Sequence, residues 1–273
     1  MTCSEKVNGR GGDTLPEKLI VHELSDTFDT LELFPLMDLH IGDVKTDVQL
    51  FKQFVKFMQQ QPNRYITIQG DLMNNATKSS VSNTYEETMS PQDQKEFIID
   101  ELKPIEDRIL CIVPGNHEER TTKDVDNHPL RDLARELDIK DLYRHDGAFL
   151  KVSFGKRTDN SKPVAYTLCC IHGCGGGAKS GGSVNKIEDF LYSIEVLDIM
   201  IMGHVHKKLA GRPSKICIDP YNNVIRQHDT LWVIASAWQE YGGYAFRKML
   251  RPSPKGKTPL TLYGKEKYFE AVI

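Results

Sequence analysis

The residues able to do chemistry in this 273-residue chain fall into five short clusters. Asp38-Leu39-His40 comes first, then Gly70-Asp71, Gly115-Asn116-His117-Glu118, His172-Gly173 and Gly203-His204-Val205-His206. Each has a plain reading on its own. Gly-Asp and Gly-Asn-His are turn sequences, and an H-x-H is more often a surface pair than a pair of ligands. Together they offer imidazole, carboxylate and amide donors and no thiolate. That set suits borderline divalent ions such as Mn²⁺, Fe²⁺ or Zn²⁺. Asp38, His40, Asp71, Asn116, His172, His204 and His206 are too many for one tetrahedral ion. They suit two ions sharing one carboxylate. Paired ions ~3.5–4 Å apart activate a bridging hydroxide and clamp a phosphoryl group for in-line displacement. His117 follows Asn116 directly, and neighbouring side chains diverge. It is therefore expected to face substrate, as general acid for the leaving oxygen.

What must position these residues is legible in the segments before them. Leu31–Met37, Tyr65–Gln69, Ile109–Val113, Val164–Ile171 and Asp198–Met202 are short runs rich in Ile, Val and Leu, and Leu231–Ser236 is a sixth. Such runs fit strands buried on both faces. Each of the first five ends at one of the clusters. In layered α/β folds, ligand sites form at the carboxyl ends of strands. Helical patterns alternate with the strands: Val48 to Gln60, a helix capped by Ser90 with Pro91 in its first turn and ending near Leu102, Asn127 to Leu137, and Lys186 to Leu197. Alternation of this kind predicts an α/β layered fold. The polar segment from Asn74 to Met89 reads as a long loop near the second strand's end, a common place for substrate contacts.

The ordered set D-x-H, G-D, G-N-H-[DE], H and G-H-x-H resembles the signature of the calcineurin-like metallophosphoesterase superfamily, and the match runs over roughly residues 31 to 240. That resemblance implies an α/β fold, specifically a four-layer αββα sandwich. It implies a single phosphoesterase domain over residues 31–273, after a tail and lead-in strand over 1–30. It also implies that Asp38, His40 and His206 hold one metal, that Asn116, His172 and His204 hold the other, and that Asp71 bridges them. His117 would then be the acid or transition-state donor. Many members carry an acidic residue three positions after the bridging Asp, where this chain has Asn74. An amide can accept a hydrogen bond from His117 but supports an imidazolium less well than a carboxylate. A softer likeness is to phage- and prophage-type phosphoesterases, through Asp38-Leu-His-Ile-Gly-Asp43, Gly70-Asp-Leu-Met-Asn-Asn75 and Tyr241-Gly-Gly-Tyr244.

The expected function is therefore di-metal phosphoester hydrolysis with two divalent ions (Mn, Fe or Zn), on a phosphodiester by preference. A DNA or RNA exonuclease or endonuclease is the alternative within the superfamily. An inactive binding module on the same fold is the alternative of another class, but it predicts broken ligands, and all seven stand. Hydrolases of C–N or C–O bonds usually carry H-x-H early in the chain, whereas Gly203-His204-Val205-His206 is late. The partner is a phosphoester, with nucleic acid or nucleotide among the candidates.

Composition sets the outer bounds. Hydrophobic residues make up 39% of the chain, enough for a sizeable core, and the net charge of −3 exerts no global pull on nucleic acid. Yet from Arg247 to Lys267 seven basic residues face one acid, Glu266. No apolar run approaches the ~20 residues of a membrane span. The first 18 residues lack an apolar signal region, which leads to an expectation of a cytoplasmic protein, in a host cytoplasm if phage-encoded. The six cysteines are expected to be reduced. The Gly-rich stretch after His172 falls one residue short of a phosphate-binding P-loop, because Ala178 stands where a Gly should precede Lys179. Gly181-Gly182 is expected to oppose helix entry there. A connecting loop beside the metals, with Lys179 near substrate phosphate, is the reading that remains.

Overall fold

The computed structural model describes residues 18–78, 80, 84–175 and 179–273. Residues 1–17 of the tail and lead-in strand expected over 1–30, parts of the 74–89 loop and residues 176–178 lie outside that set. The strands in chain order are β1 (Ile20–Glu23), β2 (Thr30–Leu36), β3 (Arg64–Gln69), β4 (Ile109–Val113), β5 (Ala148–Phe154), β6 (Val164–Cys170), β7 (Ile199–Met202), β8 (Leu209–Gly211), β9 (Ser214–Asp219), β10 (Val224–Asp229), β11 (Leu231–Ile234), β12 (Leu260–Tyr263) and β13 (Phe269–Ala271). The helices are α1 (Val48–Gln59), α2 (Pro91–Leu102), α3 (Glu118–Val125), α4 (Pro129–Glu136), α5 (Gly181–Tyr192) and the one-turn α6 (Tyr244–Arg247). The fold is mixed α/β.

Two larger sheets result. One has the order β13-β12-β2-β3-β4, with β2, β3 and β4 parallel. The other has the order β1-β5-β6-β7-β11-β8, with β6, β7 and β11 parallel. A separate antiparallel ribbon pairs β9 with β10. Period-two alternation sorts the side chains. Leu31 and Leu33 of β2 join one core cluster with Leu168 of β6, Ile199 and Ile201 of β7, and Val233 of β11. Their alternates Phe34 and Leu36 pack instead with Phe51, Phe54 and Met58 of α1, Ile98 and Leu102 of α2 and Leu133 of α4. On the other sheet Met200, Met202, Trp232 and Ile234 pack with Ile187 and Leu191 of α5. Each fully buried aliphatic or aromatic side chain contributes roughly 1.5–3 kcal/mol.

Helix starts follow local chemistry. The Asp47 side chain accepts the Leu50 N–H at 2.9 Å to cap α1, and Ser90 accepts that of Asp93 at 3.2 Å, with Pro91 next in the chain. One expectation needs correcting. The fourth helix was read as Lys186 to Leu197, with the glycine pair barring entry. Instead α5 starts at Gly181 and ends at Tyr192, and Ile187 and Leu191 are buried. First-turn residues form few intrahelical bonds through their N–H groups, so Gly is tolerated there when the apolar stripe downstream docks well. Among the described residues the cysteines are free thiols, and no helix is long and apolar enough to cross a membrane.

Candidate metal centre

The carboxyl ends of β2, β3, β4, β6 and β7 lead into the five clusters. β2 leads to Asp38 and His40, β3 to Asp71, β4 to Asn116 and His117, β6 to His172, and β7 to His204 and His206. All of these side chains meet. His40 Nε2 lies 3.0 Å from His206 Nε2, and His206 Nε2 lies 3.6 Å from Asp38 Oδ1. Asn116 Oδ1 lies 3.0 Å from His172 Nε2 and 2.7 Å from His204 Nδ1, and those two nitrogens are 3.2 Å apart. Asp71 Oδ2 stands between the groups, 3.3 Å from His172 Nε2 and 4.0 Å from His40 Nε2. Three sets of donors are close enough to share a cation: Asp38-His40-His206, His40-Asp71-His117 and Asp71-His172-His204.

The local backbone is unusual. Asp38, His40, Asp71, His204 and His206 all have positive φ, between 50° and 68°. Non-glycine residues pay about 1–3 kcal/mol for sparsely populated backbone conformations, which gather at functional sites. Each of these turns follows a buried strand and is held by its neighbour: Asp38 N–H donates to Gly70 O at 3.1 Å, and His40 N–H to Asp71 O at 2.9 Å. Gly70 and Gly115 explain two of the motifs. A Cβ on Gly70 would collide with the Gly115 backbone, and one on Gly115 with Asp71. The Gly70-Asp71 and Gly115-Asn116 turns are thus pressed together with no room for a side chain between them.

The donor set fits a pair of cations. His172 Nδ1 donates to Gln69 O at 2.6 Å, and His204 Nε2 to Gly175 O at 2.8 Å. Each ring therefore turns its other nitrogen inward. Backbone carbonyls on the far nitrogen are the usual way of orienting a ligating His. The two inner nitrogens face each other beside the Asn116 and Asp71 oxygens. Asp38 Oδ1 and His40 Nδ1 are buried without a hydrogen-bond partner, and a buried carboxylate oxygen left bare is costly unless a cation meets it. Burial opposes the charge of His172, but Asp71 outweighs it and pushes His172 up to about 10. Burial would raise the Asp71 carboxyl, yet the surrounding imidazoles His172, His117 and His40 hold it well below its ordinary value.

His117 sits nearer the centre than diverging neighbours suggest. Its Nε2 is 3.8 Å from Asp71 Oδ2, and its ring centroid is 4.3 Å from that of His40. Its Nδ1 donates to the main-chain carbonyl of Asn74 at 2.8 Å. The Asn74 amide, expected as the possible acceptor, is turned away and donates to Glu87 Oε1 instead. Arg120, on α3, donates to His117 Nε2 at 2.8 Å and to Asn74 O at 2.9 Å. Burial lowers the His117 imidazole; Asp71 opposes this, and Arg120 lowers it further.

Three residues of the site carried no role in the sequence reading. Arg120 and Glu87 reach it only through tertiary packing. Glu118 was visible as the last residue of its motif, but its role was not. Fully buried, it accepts N–H donors from Asp71 at 2.8 Å, Gly115 at 2.9 Å and Met73 at 3.0 Å. One carboxylate thus pins two ligand-bearing turns. A cleft of about 230 Å³ opens beside Asn116 and His172, bordered by Glu119 and His145. Gly175, at the start of the Gly-rich stretch, meets the centre through its carbonyl on His204.

No family model and no curated protein matches the chain. One similar solved structure is described as GAP50, the anchor in the inner membrane complex of Plasmodium. It is 11% identical, with 86% of this chain and 82% of that chain covered and a TM-score of 0.41.

Proposed function

We propose that this chain is a calcineurin-like metallophosphoesterase that hydrolyses a phosphoester, with a phosphodiester preferred, using two divalent cations. The observation that carries this reading is the convergence of seven donors from five strand ends, with the inner nitrogens of His172 and His204 aimed at one another. Asp38, His40 and His206 would hold one cation, Asn116, His172 and His204 the other, and Asp71 both. The finer architecture is a four-layer αββα sandwich, supported by one core shared between the sheets and by helices packed against the outer face of each. Bound cations supply a water acidified to nucleophilic strength and positive charge against the phosphoryl oxygens.

The remaining work belongs to the chain. Glu118 fixes the angle between the Asp71 and Asn116 turns. Gln69 and Gly175 carbonyls hold the outer nitrogens of His172 and His204, so the inner nitrogens would face the cations, whose binding would displace the inner proton of His172. The Asn74 carbonyl holds His117 with Nδ1 protonated, so Nε2 faces the reaction. A proton on Nε2 cannot coexist with the Arg120 hydrogen bond, so Arg120 must release His117 as the leaving oxygen arrives. Once released, Nε2 takes up a proton from water, and His117 donates that proton to the oxygen.

The test is turnover of bis-p-nitrophenyl phosphate with Mn²⁺. Activity abolished by chelation and by Asp71→Asn supports the reading. A metal-loaded protein inert on phosphomonoesters, phosphodiesters and nucleic acids alike would make it a binding module instead.

A further inference from the structure

Residues 239–257 carry five cations, Arg247, Lys248, Arg251, Lys255 and Lys257, against one acid, Glu240, in a chain whose net charge is −3. Structure removes that acid from the count, since Lys255 Nζ pairs with both Asp47 and Glu240. Arg247, Lys248, Arg251 and Lys257 remain exposed. The segment is not a loose tail. Trp238 N–H donates to Asp38 O at 3.1 Å, and Glu240 N–H to Lys45 O at 2.8 Å. Lys208 donates through its N–H to Ser253 Oγ at 3.1 Å, and through Nζ to Lys257 O at 3.2 Å. These bonds lay the segment across the two turns that present Asp38 and His206.

Aromatic rings stand among these cations. Tyr241 is 44% and Phe246 69% exposed, and their centroids lie 6.4 Å apart at 77°. Tyr241 is fixed by donating its hydroxyl to Leu250 O at 2.7 Å. Exposed rings interleaved with cations describe how proteins take single strands: phosphates on the charges, bases on the ring faces. A duplex keeps its bases stacked internally and is read by a helix or ribbon in a groove, whereas the helix of this segment, α6, has only four residues. The opposite flank of the centre, with Glu119 and Asp146 around its cleft, would repel a polyanion.

We propose that residues 239–257 form a track for single-stranded nucleic acid, which delivers a backbone phosphate to the Asp38–His206 side of the centre. This names the substrate class of the phosphoesterase proposed above and rests on that reading for the chemistry, though not for the binding.

Binding is measured by fluorescence anisotropy, using the Mn²⁺-loaded chain and a cleavage-resistant phosphorothioate oligothymidylate of about 20 nucleotides, longer than one such site. A duplex of equal length is run beside it. The single strand should bind more tightly. Arg247→Ser with Arg251→Ser should weaken it at least about tenfold and flatten the log-log salt slope by roughly 1.4, the value for two lost phosphate contacts. Phe246→Ala should weaken it about fivefold or more with the salt slope unchanged. Exposed substitutions of this kind shift stability by only about 0.5 kcal/mol, so unchanged melting curves certify the fold. Preference for the duplex, absence of strand binding, or affinity indifferent to all three substitutions would overturn the track. Strand binding without any phosphoesterase activity would keep the track and sink the hydrolase.

Discussion

The two banks of the candidate centre are built differently. Asp38, His40 and Asp71, from the five-stranded sheet, are at most 2% exposed, and their turns are bonded to one another. His204 and His206, from the six-stranded sheet, are partly open; the His204 N–H donates to Asp38 Oδ2 at 2.9 Å, and its ring to a loop carbonyl. Asn116 of the first sheet is exposed and His172 of the second is buried, so the floor is Asp38, His40, Asp71 and His172, latched by Glu118, and the rim is Asn116, His204 and His206. The difference teaches that the floor defines where charge sits, while the rim closes over it and sets access. In the proposed enzyme, damage to the floor should remove the centre, and damage beside it should leave the ions and remove the chemistry.

The harshest way to break this contrast is Asp71→Asn. It takes the carboxylate shared by both banks, so bound metal measured by atomic emission should fall with turnover to background. Retention of both ions would mean that the floor does not organise the site. Next is His117→Ala, where turnover should fall about 10²–10⁴-fold, the range for a lost general acid, with metal content kept. Metal lost on this substitution would make His117 a ligand, a role its closeness to His40 and Asp71 makes worth testing. Third is chelation of the loaded protein. Ions that bind the folded chain alone stabilise it by about 2.7 kcal/mol at a hundred times Kd, so EDTA should lower the melting temperature; an unmoved transition would argue that no ion was held. Fourth is Glu118→Gln, which sets an amide NH₂ among three backbone donors. It should cost roughly 1–3 kcal/mol in urea unfolding, whereas a change at the exposed rim costs far less. The mildest is Asn74→Asp. Because the Asn74 side chain faces Glu87 and not His117, a restored acid should give no faster turnover. A clear gain would show that position 74 turns toward the histidine in the working enzyme.

Much of the centre was legible because each cluster closes a run of Ile, Val and Leu, and strand ends are where α/β folds put ligands. That Asp38, His40, Asp71, Asn116, His172, His204 and His206 would meet at strand ends needed no more than that to be expected. Arg120 and Glu87 were hidden, since nothing local distinguishes an arginine that reaches His117 from any other on a short helix. The acceptors for His117, His172 and His204 were equally hidden, because they are main-chain carbonyls, which every residue owns. The start of α5 went astray because glycine propensity was weighed without the docking of Ile187 and Leu191. β5 was missed because AFLKVSF, with its half-buried Lys151, reads as less apolar than its partner β6, to which it pairs in full antiparallel register.

Five of the seven proposed ligands leave the main chain from left-handed residues. Their bearing is dictated by peptide planes as much as by rotatable side-chain bonds, so the donor atoms have little freedom to spread for a larger ion. Calcium, which favours more and longer oxygen contacts, should be a poor tenant. Discrimination by ionic radius is in that case a property of the backbone, present before any choice between nitrogen and oxygen is made.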